Sequence, residues 1–362
     1  MKSEVTREIV WAGARHQVCG DGGRERRLEI PPQNSHDCRF LGIKHVVSYS
    51  GGKDSGATLG LALQRVPREH LIVVAADTGN EHDVTLRHWE DTERALGIQI
   101  TRLRNDFSEQ IARKRMFIAR DQRAGRGKDG RKLRWTNKAK RRALAVLHPT
   151  GNPFLDLCLW KGRFPSRKAQ FCTEELKRNV IVEFQMDLID AGWGVVSWQG
   201  VRRDESMARQ RAKKIERIGP RLWTFRPLVD WTALQVFAYC AENGIPINPL
   251  YLQGMKRVGC MPCINVGKNE LREIADRFPS YLDDKADWER MVSQASKHGY
   301  STFFHRAGRL DGLTVDKIFL REGIRSVIEW SRTSRGGQQY DLLSAPGMSN
   351  PTACSSAYGL CE

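Results

Sequence analysis

The sequence predicts an α/β fold built on a doubly wound, mostly parallel sheet. Three observations carry that expectation. Apolar runs and helical patterns alternate as strand, helix, strand, helix, strand between His45 and Arg104, the order that lays helices over both faces of a parallel sheet. The second run, LIVVAADTG from Leu71 to Gly79, is continuous in its apolar part, as strands covered on both faces are. A glycine turn, SGGKDS from Ser50 to Ser55, joins the first run to the first helical pattern without a spacer.

Residues 1–40 are polar, with Gly20, Gly22 and Gly23 beside Arg24, Arg26 and Arg27, and are expected to form an irregular N-terminal extension. HVVSYS (His45–Ser50) is the first strand. After the glycine turn, Leu59, Leu63 and Val66 recur at helical spacing, and Pro67 ends that helix. DVTLRHWEDTERALG reads as a helix stopped at Gly97, and IQITRLR as a third strand. Residues 113–142 break the pattern: 14 of these 30 positions are Lys or Arg, against Asp121 and Asp129 alone. Gly125, Gly127 and Gly130 rule out one continuous helix there, so the segment is a basic insertion within a domain spanning residues 41–255. Helical pattern resumes from Glu174 to Ala191 with Gly192 as its stop, and WGVVSWQG (Trp193–Gly200) is a further strand. A helix capped by Asp230 is expected to carry Leu234, Phe237 and Cys240 on one face. Residues 256–362 form a C-terminal extension, whose last part, after Arg335, holds no Lys or Arg.

With 362 residues and 40% hydrophobic side chains, the chain can bury a real core and is neither disordered nor fibrous. No apolar run reaches the ~18 residues of a membrane-crossing helix, so no membrane partner is expected. The first residues carry scattered charge and no apolar stretch, which makes the cytoplasm the expected location. The charge balance, 59 − 42 = +17, favours polyanionic partners, either nucleotides or nucleic acid. Nine cysteines are too few and too uneven for a disulfide scaffold in this length of chain. In a reducing compartment, clustered thiols point to metal or redox chemistry.

The strongest chemical signal is Ser50-Gly51-Gly52-Lys53-Asp54-Ser55. Glycines let a backbone bend tightly and approach a ligand without Cβ obstruction. The amides that open the following helix share one direction, and the helix dipole favours an anion there. Lys53 adds a positive charge, and Ser50 and Ser55 add hydroxyls. The spacing is not that of a Walker A loop. The motif resembles the PP-loop of the adenine nucleotide α-hydrolase superfamily. That resemblance implies cleavage of ATP between its α and β phosphates, with Lys53 and the loop amides on the β and γ phosphates and Asp54 assisting Mg²⁺. Asp77, at the carboxyl end of the second strand, is implied to lie near the nucleotide.

Further boxes follow in order: Gly200-Val201-Arg202-Arg203-Asp204-Glu205-Ser206 with Arg209, then Pro227-Leu228-Val229-Asp230-Trp231, then Pro246-Ile247-Asn248-Pro249-Leu250-Tyr251, then Gly259-Cys260-Met261-Pro262-Cys263. Were the first box helical, Arg202 and Arg209 would lie two turns apart on one face, and guanidinium groups bind phosphate or sulfate bidentately. This series is similar to the phosphoadenosine phosphosulfate (PAPS) reductase family, from about Lys44 to Cys263 without the basic insertion. The resemblance implies that Gly200, Arg202, Glu205 and Ser206 bind an adenine nucleotide, and that Arg202 and Arg209 hold an anionic acceptor or substrate. It also reaches Cys172 and Lys177, which match the first cysteine and the lysine of the box in cluster-bearing adenylylsulfate (APS) reductases, with Thr173 where a second cysteine stands.

Two departures redirect the expectation. The reductases carry a degenerate phosphate loop, whereas SGGKDS is intact; they also use a C-terminal Glu-Cys-Gly, which is absent from the ending Cys354 to Glu362. The pattern is closer to reductase-like ATP pyrophosphatases, such as the adenylating component of DNA phosphorothioation, which implies work in sulfur metabolism or sulfur-linked modification and a sulfur-transfer partner protein. A PAPS or APS reductase releasing sulfite, and a nucleic-acid-binding module without turnover, are the alternatives. Cys260-x-x-Cys263 can place two thiolates on one metal. The preferred remaining ligands are Cys354 and Cys361, with Cys172 as the alternative, for a [4Fe–4S] cluster or Zn²⁺. Cys240 reads as a core residue. Residues 113–142 are a candidate surface for DNA or RNA.

Overall fold

The computed structural model describes residues 40–128, 130, 132–304 and 313–335, together with the backbone of two strands at 7–11 and 14–18. Cys354 and Cys361, two of the expected metal ligands, lie outside the described residues.

The first elements are β1 (Arg7–Trp11), β2 (Ala14–Val18), β3 (Ile43–Ser48), α1 (Lys53–Arg65), β4 (Leu71–Ala76), α2 (Asp83–Leu96) and β5 (Ile100–Asn105). Next come α3 (Ser108–Arg120), α4 (Asn137–Val146), α5 (Pro153–Lys161), a π-turn at Glu174–Arg178, α6 (Asn179–Asp190) and β6 (Gly194–Trp198). They are followed by β7 (Ile215–Gly219), β8 (Leu222–Phe225), α7 (Ala233–Glu242) and α8 (Pro249–Leu252). The last are α9 (Lys268–Arg277), α10 (Pro279–Ala295), α11 (Val315–Glu322) and α12 (Ile324–Ser331).

The chain forms two compact units, Met1–Asn105 with Thr173–Cys260 and Ser344–Glu362, and Asp106–Cys172 with Met261–Leu343. These divide the chain elsewhere than the expected 41–255 and 256–362. The basic insertion groups with the second unit because α4 packs on α10 and the Arg142 guanidinium donates to the carbonyls of Gln294 and Ser296 at 3.2 and 2.7 Å.

The first unit holds the α/β sheet, with strand order β1-β2-β5-β4-β3-β6-β8-β7. Its five central strands are parallel, and β2 and β7 join antiparallel at either side. Successive side chains of a strand face opposite sides, and the core follows that alternation. Val47, Val73 and Ala75 pack with Leu59, Trp89, Val236 and Cys240 from α1, α2 and α7. Val46, Val74 and Leu103 pack with Val180, Ile181 and Leu188 of α6 on the other face. Helices on both faces bear out the doubly wound, mostly parallel sheet.

Several local expectations are corrected. Arg7–Trp11 and Ala14–Val18 are not irregular: β1 and β2 pair antiparallel, and β2 pairs with β5. The cap of α7 is Thr232, whose hydroxyl accepts from the Gln235 amide while the Gln235 side chain accepts from Thr232. Asp230 is instead paired with Arg203. Leu234 is 80% exposed, and the face that packs inward carries Val236 and Cys240. Gly192 follows α6 with φ +100°, the left-handed stop expected of it.

In the second unit, α3 and α4 flank the glycine-bearing stretch of the basic insertion. Glu289 of α10 is buried and accepts from the amides of Phe303 at 2.7 Å and Ile324 at 3.0 Å. Among the described residues no helix is long and apolar enough to cross a membrane.

Candidate functional site

The strand order turns back on itself at β3: β4 and β5 lie to one side of it, β6 and β8 to the other. A crevice forms at the carboxyl ends of strands where connections leave in opposite directions. The loop Ser50–Ser55 leaves β3 at that point, and Gly200 to Ser206 leaves β6 beside it.

Gly51 takes φ +83°, and a Cβ there would stand 2.7 Å from the indole nitrogen of Trp89. Gly52 is the residue before α1 and has no side chain to cap it, so the first amides of the helix receive no side-chain cap from the loop. The Ser50 and Ser55 hydroxyls are 3.0 Å apart, and Ser55 Oγ donates to the Gly52 carbonyl at 2.9 Å. The Lys53 amide donates to the Tyr251 hydroxyl at 3.3 Å, and the Lys53 ammonium stands 5.7 and 6.0 Å from the ring centres of Tyr251 and Phe237. Asn248 braces the turn from the other side, donating to the Gly51 carbonyl at 3.3 Å.

Asp54 links this loop to the second box. It is fully buried, its Oδ2 is 2.9 Å from the Lys53 ammonium, and its Oδ1 accepts from Arg202 Nε at 2.7 Å. Arg202 also meets Asp204 at 2.5 Å. Gly200 makes this approach possible, because a Cβ on it would lie 2.8 Å from the Asp54 carbonyl carbon and 3.0 Å from the Ser55 nitrogen. The box is two separate 3₁₀ turns, Arg203–Glu205 and Met207–Arg209, so Arg202 and Arg209 do not share a helix face. Arg209 is buried and paired with Glu205. The buried Ser206 hydroxyl has no hydrogen-bond partner among the described residues.

The turn after β4 forms a third cluster. The Asp77 carboxylate accepts from the Gly79 amide at 2.9 Å and pairs with Arg104 at 3.6 Å. Glu81 accepts from the Thr78 amide and hydroxyl at 3.0 and 2.6 Å. Burial raises the Glu81 carboxyl above its ordinary pKa, Asp77 adds to the rise, and the Lys177 ammonium opposes it. Cys260 Sγ lies 3.7 Å from Glu81 and 3.6 Å from Thr78 Oγ1. Cys263 Sγ accepts from the Asn265 amide at 3.5 Å. Among the described residues no three His, Cys, Asp or Glu side chains are grouped to hold a metal ion.

Sequence reasoning named Ser50 to Ser55, Gly200 and Arg202, and the structure brings these together. It missed Asn248, Tyr251 and Phe237 as braces of the loop, although the first two stand in a box that was noticed. It also missed Glu81, which binds the Thr78 amide and hydroxyl and for which the only signal was a run of polar residues after a strand.

A glycine-bearing strand-to-helix loop at the switch point of a doubly wound sheet defines the class of this protein. The description "phosphoadenosine phosphosulfate reductase domain" matches residues 44–266, and the chain belongs to that family. An uncharacterized 37.8 kDa protein of Escherichia phage 186 is 44% identical over 335 residues, covering 88% of this chain and 96% of that one. An uncharacterized protein of Methanocaldococcus jannaschii is 29% identical over 257 residues, 70% of this chain and 42% of the other. The adenosine 5′-phosphosulfate reductase of Rhizobium tropici is 35% identical over 96 residues, 26% of this chain and 53% of that protein. The chain thus spans about half or less of the latter two.

Proposed function

We propose that this chain is a reductase-like ATP pyrophosphatase, which binds an adenine nucleotide through its polyphosphate and cleaves it, or transfers its adenylyl group, between the α and β phosphates. The acceptor belongs to sulfur metabolism or sulfur-linked modification. The observation that carries the reading is the intact loop at the switch point, with the start of α1 lacking a side-chain cap from its N-cap residue Gly52, two hydroxyls 3.0 Å apart and the Lys53 ammonium. Lys53 and the amides hold the β and γ phosphates. Arg202 and the unpartnered Ser206 hydroxyl face the acceptor side. Arg209 is a positioning residue, acting through Glu205. Both oxygens of Asp54 already meet cations, so Mg²⁺ fits as an ion carried in by the triphosphate. Catalysis of this kind is mostly positioning and charge neutralisation.

The test is to supply ATP with Mg²⁺, and separately PAPS or APS with a dithiol, and to assay pyrophosphate and sulfite. Pyrophosphate from ATP, with Lys53→Ala lowering kcat/KM at least ~100-fold, is expected. ATP binding measured by calorimetry, and lost in the same variant, is expected even before an acceptor is found. Sulfite release without pyrophosphate, or no ATP binding, overturns the reading.

A further inference from the structure

Among the described basic side chains from Arg113 to Arg142, two groups stand out. One is structural. The Lys114 ammonium donates to the carbonyls of Leu159 and Trp160 at 2.9 and 2.8 Å, and burial pulls its pKa down to about 8. Arg115 donates to the carbonyls of Leu144 and Leu147, and Lys140 to those of Ala119 and Asp121. Arg142 holds the end of α10 in the same way. These cations satisfy helix-end carbonyls, a stabilising use of positive charge.

The second group has no such employment. Arg120, Lys128, Lys132, Arg134, Lys138 and Arg141 are exposed. None of them has an acidic partner among the described residues. Asp121 does not offset them, since it is buried and held by Arg123 at 2.8 Å and by the Trp135 amide. On α3, Arg113, Met116, Phe117 and Arg120 recur at helical spacing, which puts them on one face. That face is outward: Met116 is 54% and Phe117 49% exposed. The Arg123 guanidinium lies 4.7 Å from the centre of the Phe117 ring.

We infer that the basic insertion is a docking surface for single-stranded nucleic acid, its phosphates met by these six exposed cations and a base stacked on Phe117. Exposed charge in this density seeks a polyanion. A bilayer would need a continuous apolar stripe, and α3 offers two apolar residues between arginines. An exposed aromatic beside a guanidinium is the platform on which an unstacked base rests. The inference does not depend on what the loop at Ser50–Ser55 binds.

The probe is a fluorescent oligothymidylate, its anisotropy followed in rising salt, against the matched duplex and polyglutamate. Six phosphate contacts predict a log–log salt slope of about −4. The variant Arg120→Gln/Arg134→Gln/Lys138→Gln/Arg141→Gln lowers the magnitude of that slope by about 3 and weakens binding more than ~10-fold at low salt. Phe117→Ala weakens single-strand binding about tenfold and leaves the duplex unaffected. The control Arg65→Gln/Lys256→Gln/Arg272→Gln/Lys317→Gln removes equal charge elsewhere and keeps the affinity. Equal loss in the control, equal binding of polyglutamate, or no binding by the wild type at low salt overturns the inference. Unchanged circular dichroism of each variant separates lost contact from lost fold.

Discussion

Replacing Gly200 with alanine tests whether the two boxes meet as the structure has them. The added Cβ would stand 2.8 Å from the Asp54 carbonyl carbon, 2.9 Å from its oxygen and 3.0 Å from the Ser55 nitrogen. All three are backbone atoms of the first turn of α1, which cannot rotate aside as a side-chain tip would. Gly200 is not among the positive-φ glycines, so the penalty is steric alone. Overpacking of this sort costs ~1–3 kcal/mol, seen as a lower urea midpoint at unchanged slope. The displaced atoms include the Ser55 amide, so under the proposed reading affinity for ATP or pyrophosphate falls together with stability. Gly97→Ala is the comparator: Gly97 sits at φ +60° with nothing within 4 Å. It costs ~1–2 kcal/mol of backbone strain and leaves nucleotide affinity unchanged. If Gly200→Ala kept both stability and affinity, the close approach of β6 to α1 would be refuted, and the arrangement of Asp54 and Arg202 with it.

The other expectations concern stability. Burial pushes the Glu289 carboxyl from 4.5 up to about 7, so the native state holds a proton that the unfolded state releases between those values. Stability therefore falls as pH rises through that window, by at most ~3 kcal/mol; Glu289→Gln flattens the dependence, and urea titrations at both ends of the window check it. Thr232→Ala removes the capping hydroxyl of α7 and costs ~1 kcal/mol, whereas Asp230→Ala, outside that cap, leaves helix stability almost unchanged in the same titration.

What the sequence made legible is what is local. SGGKDS declared itself because its glycines, hydroxyls and lysine are adjacent, and the alternation of apolar runs carried the sheet. What it hid depends on pairings across the chain. Asp230 and Thr232 are both good N-cap residues, and only the position of Arg203 decides that Asp230 is engaged elsewhere. Asp54 read as a metal assistant, since nothing near it in sequence announces Arg202. Whether Arg202 and Arg209 share a helix face is open in the sequence, because the intervening residues permit a helix; the segment makes two short turns, and Arg209 is paired inside with Glu205. The strands at 7–11 and 14–18 were passed over because five-residue strands give too short an apolar pattern to stand out from a polar extension.

The buried carboxylate of Asp54 gives these distant boxes a common logic. It holds Lys53 on one oxygen and Arg202 on the other, so the cation of the loop and the cation of the second box are fixed by one group. Breaking a buried pair strands an uncompensated charge and is costly. Arg202 has a second partner in Asp204, whose side chain is 47% exposed, which makes this the more solvent-accessible of its two pairs. An entering anion, under the proposed reading, exchanges with Asp204 and leaves Asp54 in place. Under the proposed reading, Arg202 reaches the substrate by exchanging its outer carboxylate, while the inner one keeps its guanidinium in register with Lys53.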